Sequence, residues 1–133
     1  MNVSDPCHGI TQTRATMEGV NIVDVLKNYQ YDIDNHCSDI VCHNVNFDKR
    51  VIASELIRAN MKVADVPTCC TMKESMGYCK ITPKVRGEYK WPKLEELYRK
   101  CFNAELENAH NSYYDVANCA KCHFHLYYQQ CLY

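Results

Sequence analysis

Val41-Cys42-His43-Asn44-Val45-Asn46-Phe47-Asp48 is the stretch that sets how the rest of the chain is read. Asp39-Ile40-Val41-Cys42 is β-prone and too short for a helix, so it reads as a buried strand. Directly behind it a helical apolar period sets in. Phe47 opens it, Ile52, Leu56 and Ala59 share one stripe, and Ala53 and Ile57 adjoin. A strand running straight into a helix puts Asp48 in the first helical turn, at the carboxyl end of the strand, where open α/β sheets collect ligand groups. The plain alternative is a carboxylate answering the partial positive charge of a helix N-terminus.

Upstream, Ile22, Leu26, Tyr29 and Ile33 lie on one helical face with Val23 and Val25 beside it; Asn21 and Asp24 supply a capping pair and Gly19 a break. Downstream, the helix from Phe47 ends near Asn60-Met61, ahead of Pro67. Thr68 to Tyr78 has room for a further helix, with Thr71 three residues before Glu74. Residues 80–91 read as a Lys/Arg-rich loop punctuated by Pro83 and Gly87. Pro92 then suits a first helical position, followed by Leu94, Leu97, Tyr98 and Cys101 on one face. The last helix carries Tyr113, Val116, Ala117, Ala120 and Phe124 as its apolar stripe. The order is helix, strand, helix, short helix, loop, helix, helix. One strand makes no sheet, so a pairing partner is required.

The 133 residues amount to a single domain, 1–133. Hydrophobic residues at 47% and charged ones at 23% exclude a disordered or low-complexity chain. No apolar run approaches the ~18 residues of a membrane span, and MNVSDPCHGI has no basic-then-apolar leader; the expectation is a soluble, cytoplasmic protein without membrane contact. A net charge of −1 excludes a general polyanion field, so any nucleic-acid contact is local. Four Gly and four Pro are too few for the hairpins of an all-β barrel. The ten cysteines are an even number, which invites a disulfide framework, but such a framework needs an oxidising compartment. They read instead as reduced thiols packing as small hydrophobes.

A second motif is Ala109-His110-Asn111-Ser112-Tyr113-Tyr114-Asp115-Val116. His110 precedes the last helix and Asp115 lies about a turn inside it. A histidine beside a carboxylate that holds a hard cation suits a general base acting on water; the plain alternative is a helix-start histidine and a solvated aspartate.

Together the two segments resemble the DnaQ-like (DEDDh) 3′–5′ exonucleases of the RNase H-like superfamily. VCHNVNFD is similar to the family's second motif, with Asp48 as its carboxylate, and AHNSYYD to the third, with His110 and Asp115. His8-Gly9-Ile10-Thr11, Cys70 to Lys73 (CTMK) and Tyr89 to Tyr98 (YKWPKLEELY) resemble further family stretches in the family's order, so the likeness covers nearly the whole chain. It implies an α/β fold and a two-metal mechanism using Mg²⁺ or Mn²⁺. In that scheme Asp115 and Asp48 are metal ligands, His110 is the general base, and Gly9, Ile10 and Asn44 contact the substrate. That substrate is a nucleic-acid 3′ end, DNA rather than RNA, and a polymerase is an expected partner.

One departure is large. The family's first motif, Asp-x-Glu on the first strand, should precede HGIT by several tens of residues, and only seven residues do so here. The expected fold is therefore the C-terminal, mostly helical portion of an RNase H-like domain with the first three strands absent. Activity then needs a complementing N-terminal segment. The alternative is a non-catalytic remnant or interaction module that binds nucleic acid or a polymerase partner. Asp32-Ile33-Asp34 reads as helix-end charge rather than as a substitute motif, and Asn111 replaces an aspartate common in the family.

Two other features compete for a role. Cys119 and Cys122, with His123 and His125, have zinc-like spacing, yet on a helix they are neighbours on successive turns. Lys80, Lys84, Arg86, Lys90, Lys93, Arg99 and Lys100 surround Tyr89 and Trp91. That stretch is either a phosphate-and-base contact or a solvated face whose aromatics are tucked into the core.

Overall fold

The structure, a computed structural model, describes residues 8–131. Along them run α1 (Gln12–Glu18), α2 (Ile22–Asn35), β1 (Ile40–Cys42), α3 (Val45–Arg58), β2 (Thr68–Cys70), α4 (Thr71–Glu74), α5 (Met76–Cys79), α6 (Leu94–Phe102) and α7 (Ser112–Cys131). The partner that β1 required is β2, which runs parallel to it with Ile40 opposite Thr68 and Cys42 opposite Cys70. The sequence predicts helix over Thr68–Tyr78. The structure gives the first three of these residues to the sheet and divides the rest between α4 and α5, because Thr68-Cys69-Cys70 pairs in register with β1. Among the described residues the sheet has these two strands, and the far edge of β1 pairs with no other.

Local chemistry explains most helix ends. The Asn21 side chain accepts the Val23 N–H at 2.8 Å and starts α2, which buries Leu26 and Ile33. Helix α3 begins at Val45, two residues before the predicted Phe47, and buries Val45 and Leu56. It ends where Asn60 turns left-handed (φ 53°) and the Met61 N–H reaches the Leu56 carbonyl at 2.8 Å. Helix α6 does not start on Pro92. The Glu96 carboxylate accepts the Lys93 N–H at 2.7 Å and sets the start at Leu94, while Pro92 is buried beneath. Helix α1, which no sequence pattern announces, buries no residue and rests on Thr11 Oγ1 accepting the Arg14 N–H at 3.1 Å.

The tightest packing is between α6 and α7. Leu97, Cys122 and Leu126 are buried together, with Tyr78, Cys79, Leu94, Tyr98 and Cys101 packed around them. This corrects the stripe predicted for α7. Its buried side carries Asn118, Cys119, Cys122 and Leu126, whereas Tyr113, Val116 and Phe124 are 75%, 70% and 56% exposed. The cysteines at these positions pack as small hydrophobes against Leu97 and Thr71, and the larger apolar residues are left facing outward. Cys37, Cys42, Cys69, Cys70, Cys79, Cys101, Cys119 and Cys122 are free thiols. Among the described residues no helix is long and apolar enough to cross a membrane.

Candidate functional site

Beyond the carboxyl end of β1 the chain turns sharply. Asn44 adopts a left-handed backbone (φ 72°) and α3 starts at the next residue, so Asp48 stands in its first turn. Asn44 caps α3 by position alone; its side chain makes no capping hydrogen bond. A second left-handed residue, His110 (φ 68°), precedes α7, whose start is capped by the Asn111 side chain accepting the Tyr113 N–H at 3.1 Å. Asn60, Lys80 and Asn103 also have positive φ but follow helices, where that conformation is ordinary, and Asn108 has it in the loop before α7. At Asn44 and His110 it falls at helix starts. Such uncommon backbone tends to persist where surrounding structure fixes it for use.

These two turns meet at one cleft of about 880 Å³. Asn44, Asp48, His110 and Asp115 all line it, together with Val41 of β1, Trp91 and Lys93 ahead of α6, and Val116, Ala120 and Phe124 of α7. Four of the six residues singled out in the sequence are thus brought together from segments some sixty positions apart. Gly9 (φ 67°) and Ile10 stand ahead of α1 and are not among the lining residues. Asp32 and Asp34 lie in the last turn of α2, away from the cleft, where Asp34 accepts a hydrogen bond from Gln30 at 3.0 Å. Among the described residues no group of three or more His, Cys, Asp or Glu is placed to hold a metal ion. Four carboxylates nonetheless line the cleft, Asp39, Asp48, Glu95 and Asp115, of which Asp48 and Asp115 come from the two motifs; carboxylate oxygen is the donor hard cations prefer.

Burial holds the Asp48 carboxyl above its ordinary value, opposed by its own backbone N–H and by His43. A raised carboxyl binds its proton more tightly in the folded chain than in the unfolded one. Its stabilising contribution is therefore present below the unfolded value near 3.8 and is lost as pH rises through the interval up to the folded value. At neutral pH the ionised group is a burden, and Asp48→Asn should melt at a higher temperature than the parent chain. The gain should vanish in acid, where Asp48 is itself neutral. Equal thermal melts at neutral pH would show that Asp48 carries no such burden.

No local sequence pattern points to the residue that braces this site. His43 Nε2 donates to the Pro92 carbonyl at 2.9 Å, since a carbonyl can only accept; the neutral ring's Nδ1 is then an acceptor, for the Thr71 hydroxyl at 2.9 Å. Thr71 is fully buried, and its single proton goes to His43 over the longer 3.3 Å contact to the Cys42 carbonyl. One imidazole therefore ties the end of β1 to α4 and to the turn before α6. Burial pushes His43 below its ordinary value, against the Pro92 carbonyl and Asp48, which pull it up. The fold favours the neutral ring, so its stabilising contribution is whole above pH 6.5 and is lost as pH falls from 6.5 towards the depressed value. Thermal melts between neutral pH and pH 5 should fall with a slope that His43→Gln diminishes; an unchanged slope would show that His43 is not its source.

Cys42 of β1 and Cys69 of β2 are held as protonated thiols and so are weak nucleophiles. Burial, then the charge of Asp48, pushes Cys42 to about 11, and burial with the Glu74 carboxylate pushes Cys69 to about 12. Much of the basic run is also engaged: Lys90 is held by Glu96 at 2.7 Å, Arg99 by Glu105 at 2.7 Å, and Lys100 lies 5.8 Å from the Tyr78 ring. Neither aromatic is tucked into the core: Tyr89 is 46% exposed, and Trp91 is 53% exposed on the cleft wall. No family model, curated protein or solved structure matches the chain, so the cleft and its two motifs carry the functional reading.

Proposed function

We propose that the chain is the C-terminal portion of an RNase H-like 3′–5′ exonuclease domain, which hydrolyses phosphodiester bonds at DNA 3′ ends once a strand bearing Asp-x-Glu is supplied. The observation that carries this reading is the convergence of Asn44 and Asp48 from one motif with His110 and Asp115 from the other on a single cleft. The cleft's charge supports it. Asp39, Asp48, Glu95 and Asp115 line it against one lysine, Lys93, and the histidines His43, His110 and His123, a set that with neutral imidazoles repels a phosphodiester unless a divalent cation stands between them. Asp48 and Asp115 are the residues that would hold Mg²⁺ or Mn²⁺, which bind through one or two carboxylates and share substrate phosphate. When bound, such ions polarise the phosphate and lower the pKa of a water.

The chain's own residues do the rest. His110, exposed on the cleft, takes the proton from the attacking water. Asn44, whose side chain is not spent on capping α3, holds the 3′ end. Asp48, kept partly out of water, meets the positive charge that relieves its burden. The far edge of β1 and the exposed Val116 and Phe124 of α7 border the same cleft. They suit an added strand whose backbone pairs with β1 and whose apolar side chains cover the α7 stripe. We assign the protein to the cytoplasm, with a polymerase as its partner.

The test is to fuse or co-purify an apolar strand segment bearing Asp-x-Glu with this chain and to follow mononucleotide release from a 3′-recessed and a single-stranded DNA. Mg²⁺-dependent release is the expected result. A folded, strand-complemented protein that releases nothing would sink the exonuclease reading in favour of a non-catalytic nucleic-acid-binding module.

A further inference from the structure

Trp91 is the chain's one tryptophan, and it stands in an unusual place for so large a ring. Its neighbour Pro92 is buried and its carbonyl is fixed by His43, so the backbone that presents Trp91 is anchored. The side chain is nonetheless 53% exposed, on the wall of the cleft that holds Asp48, His110 and Asp115. The Lys73 ammonium lies 5.7 Å from the ring centroid, and Lys93, exposed, lines the cleft two residues further on. Lys90, by contrast, is neutralised by Glu96 at 2.7 Å and 2.9 Å. An anchored, solvent-facing indole with one lysine over a ring face and a second two residues along the chain, in the cleft that also holds Asp48 and Asp115, has little to gain from water. Stacking on a flat aromatic would cover it, and the lysines would meet an adjoining phosphate.

We infer that Trp91 is the floor of a nucleobase subsite, on which an unpaired base near the 3′ end stacks while Lys73 and Lys93 meet its backbone. The assignment rests on the exonuclease reading for the direction of the strand, and it adds a residue that neither motif contains. Every base has a π face, so the subsite tolerates sequence and selects single strands over duplex.

The single tryptophan makes the test direct. The full chain is titrated with oligothymidylate and with an abasic polymer of equal length and charge, reading Trp91 fluorescence. Oligothymidylate should quench it, and the abasic polymer should bind about tenfold or more weakly with little quenching. Trp91→Ala should weaken binding of labelled oligothymidylate by about the same factor, with Trp91→Phe in between, while circular dichroism shows both variants folded. Equal binding and quenching by the two polymers, no quenching by either, or full affinity in the folded Trp91→Ala variant would each overturn the subsite. The two proposals fail separately. Base-dependent quenching with no hydrolysis after strand complementation rejects the nuclease and keeps the subsite, and hydrolysis without base-dependent quenching does the reverse.

Discussion

Replacing His110 by alanine in the strand-complemented protein should lower 3′-end hydrolysis by about 10²- to 10⁴-fold, the usual contribution of a positioned general base. Asp115→Ala should reduce it at least as far, because it removes one of only two carboxylates that the motifs place in the cleft. The variants should differ in how they respond to conditions. Loss of His110 leaves the need for Mg²⁺ unchanged and is partly relieved at high pH, where hydroxide replaces the base-activated water. Loss of Asp115 raises the Mg²⁺ concentration needed and is not relieved by pH. Both residues are exposed or half-buried at the start of α7, so neither substitution touches the packed core and thermal melts should be nearly unchanged. Retention of full activity in either variant would remove that residue from the mechanism.

The largest loss of stability should follow Leu97→Ala. Leu97 is fully buried on α6, and it fills the space between that helix and Cys122 and Leu126 of α7. Truncation removes three carbon atoms' worth of apolar contact and leaves a void that the surrounding thiols are too small to fill. A cost of about 2–5 kcal/mol is expected, against a total of roughly 5–15 kcal/mol for an ordinary domain. Urea denaturation followed by far-ultraviolet circular dichroism measures it, with a lowered midpoint at constant slope. A loss under about 1 kcal/mol would show that the interface of α6 with α7 is not the main source of stability.

How far the fold was legible depended on what kind of signal each element leaves. Helices α2, α3 and α6 announce themselves through apolar period and capping residues, and Asn21 caps α2 as read. Strand β2 does not, because Thr68-Cys69-Cys70 is too short to show a period and becomes a strand only by meeting Ile40-Val41-Cys42 twenty-eight residues earlier. The buried side of α7 differs from its apolar stripe because Tyr113, Val116 and Phe124 outweigh cysteines in any hydrophobic stripe, whereas Cys119 and Cys122 are what the neighbouring helix and Thr71 accommodate. At the site, Asp48, His110 and Asp115 were visible as motif chemistry. His43 and Thr71 were not, since their role is a hydrogen bond across long separations that no local spacing records. The placement of Trp91 was open between core and surface until the fold put its neighbour Pro92 inside and the ring outside.

The imidazole brace also bears on how the molecule comes together in time. Its two hydrogen bonds span 28 and 49 residues. Helices α2, α3 and α7 form from local contacts, but the wall of the cleft closes only after those long loops are drawn in, and the entropy of closure must be met before the contacts reward it. Assembly of the cleft should thus come late in folding. A nascent chain emerging from the ribosome presents β1 and His43 well before either hydrogen-bond partner of that ring exists, so the brace forms only when the segment through Pro92 has been made, and the cleft only when α7 has followed it.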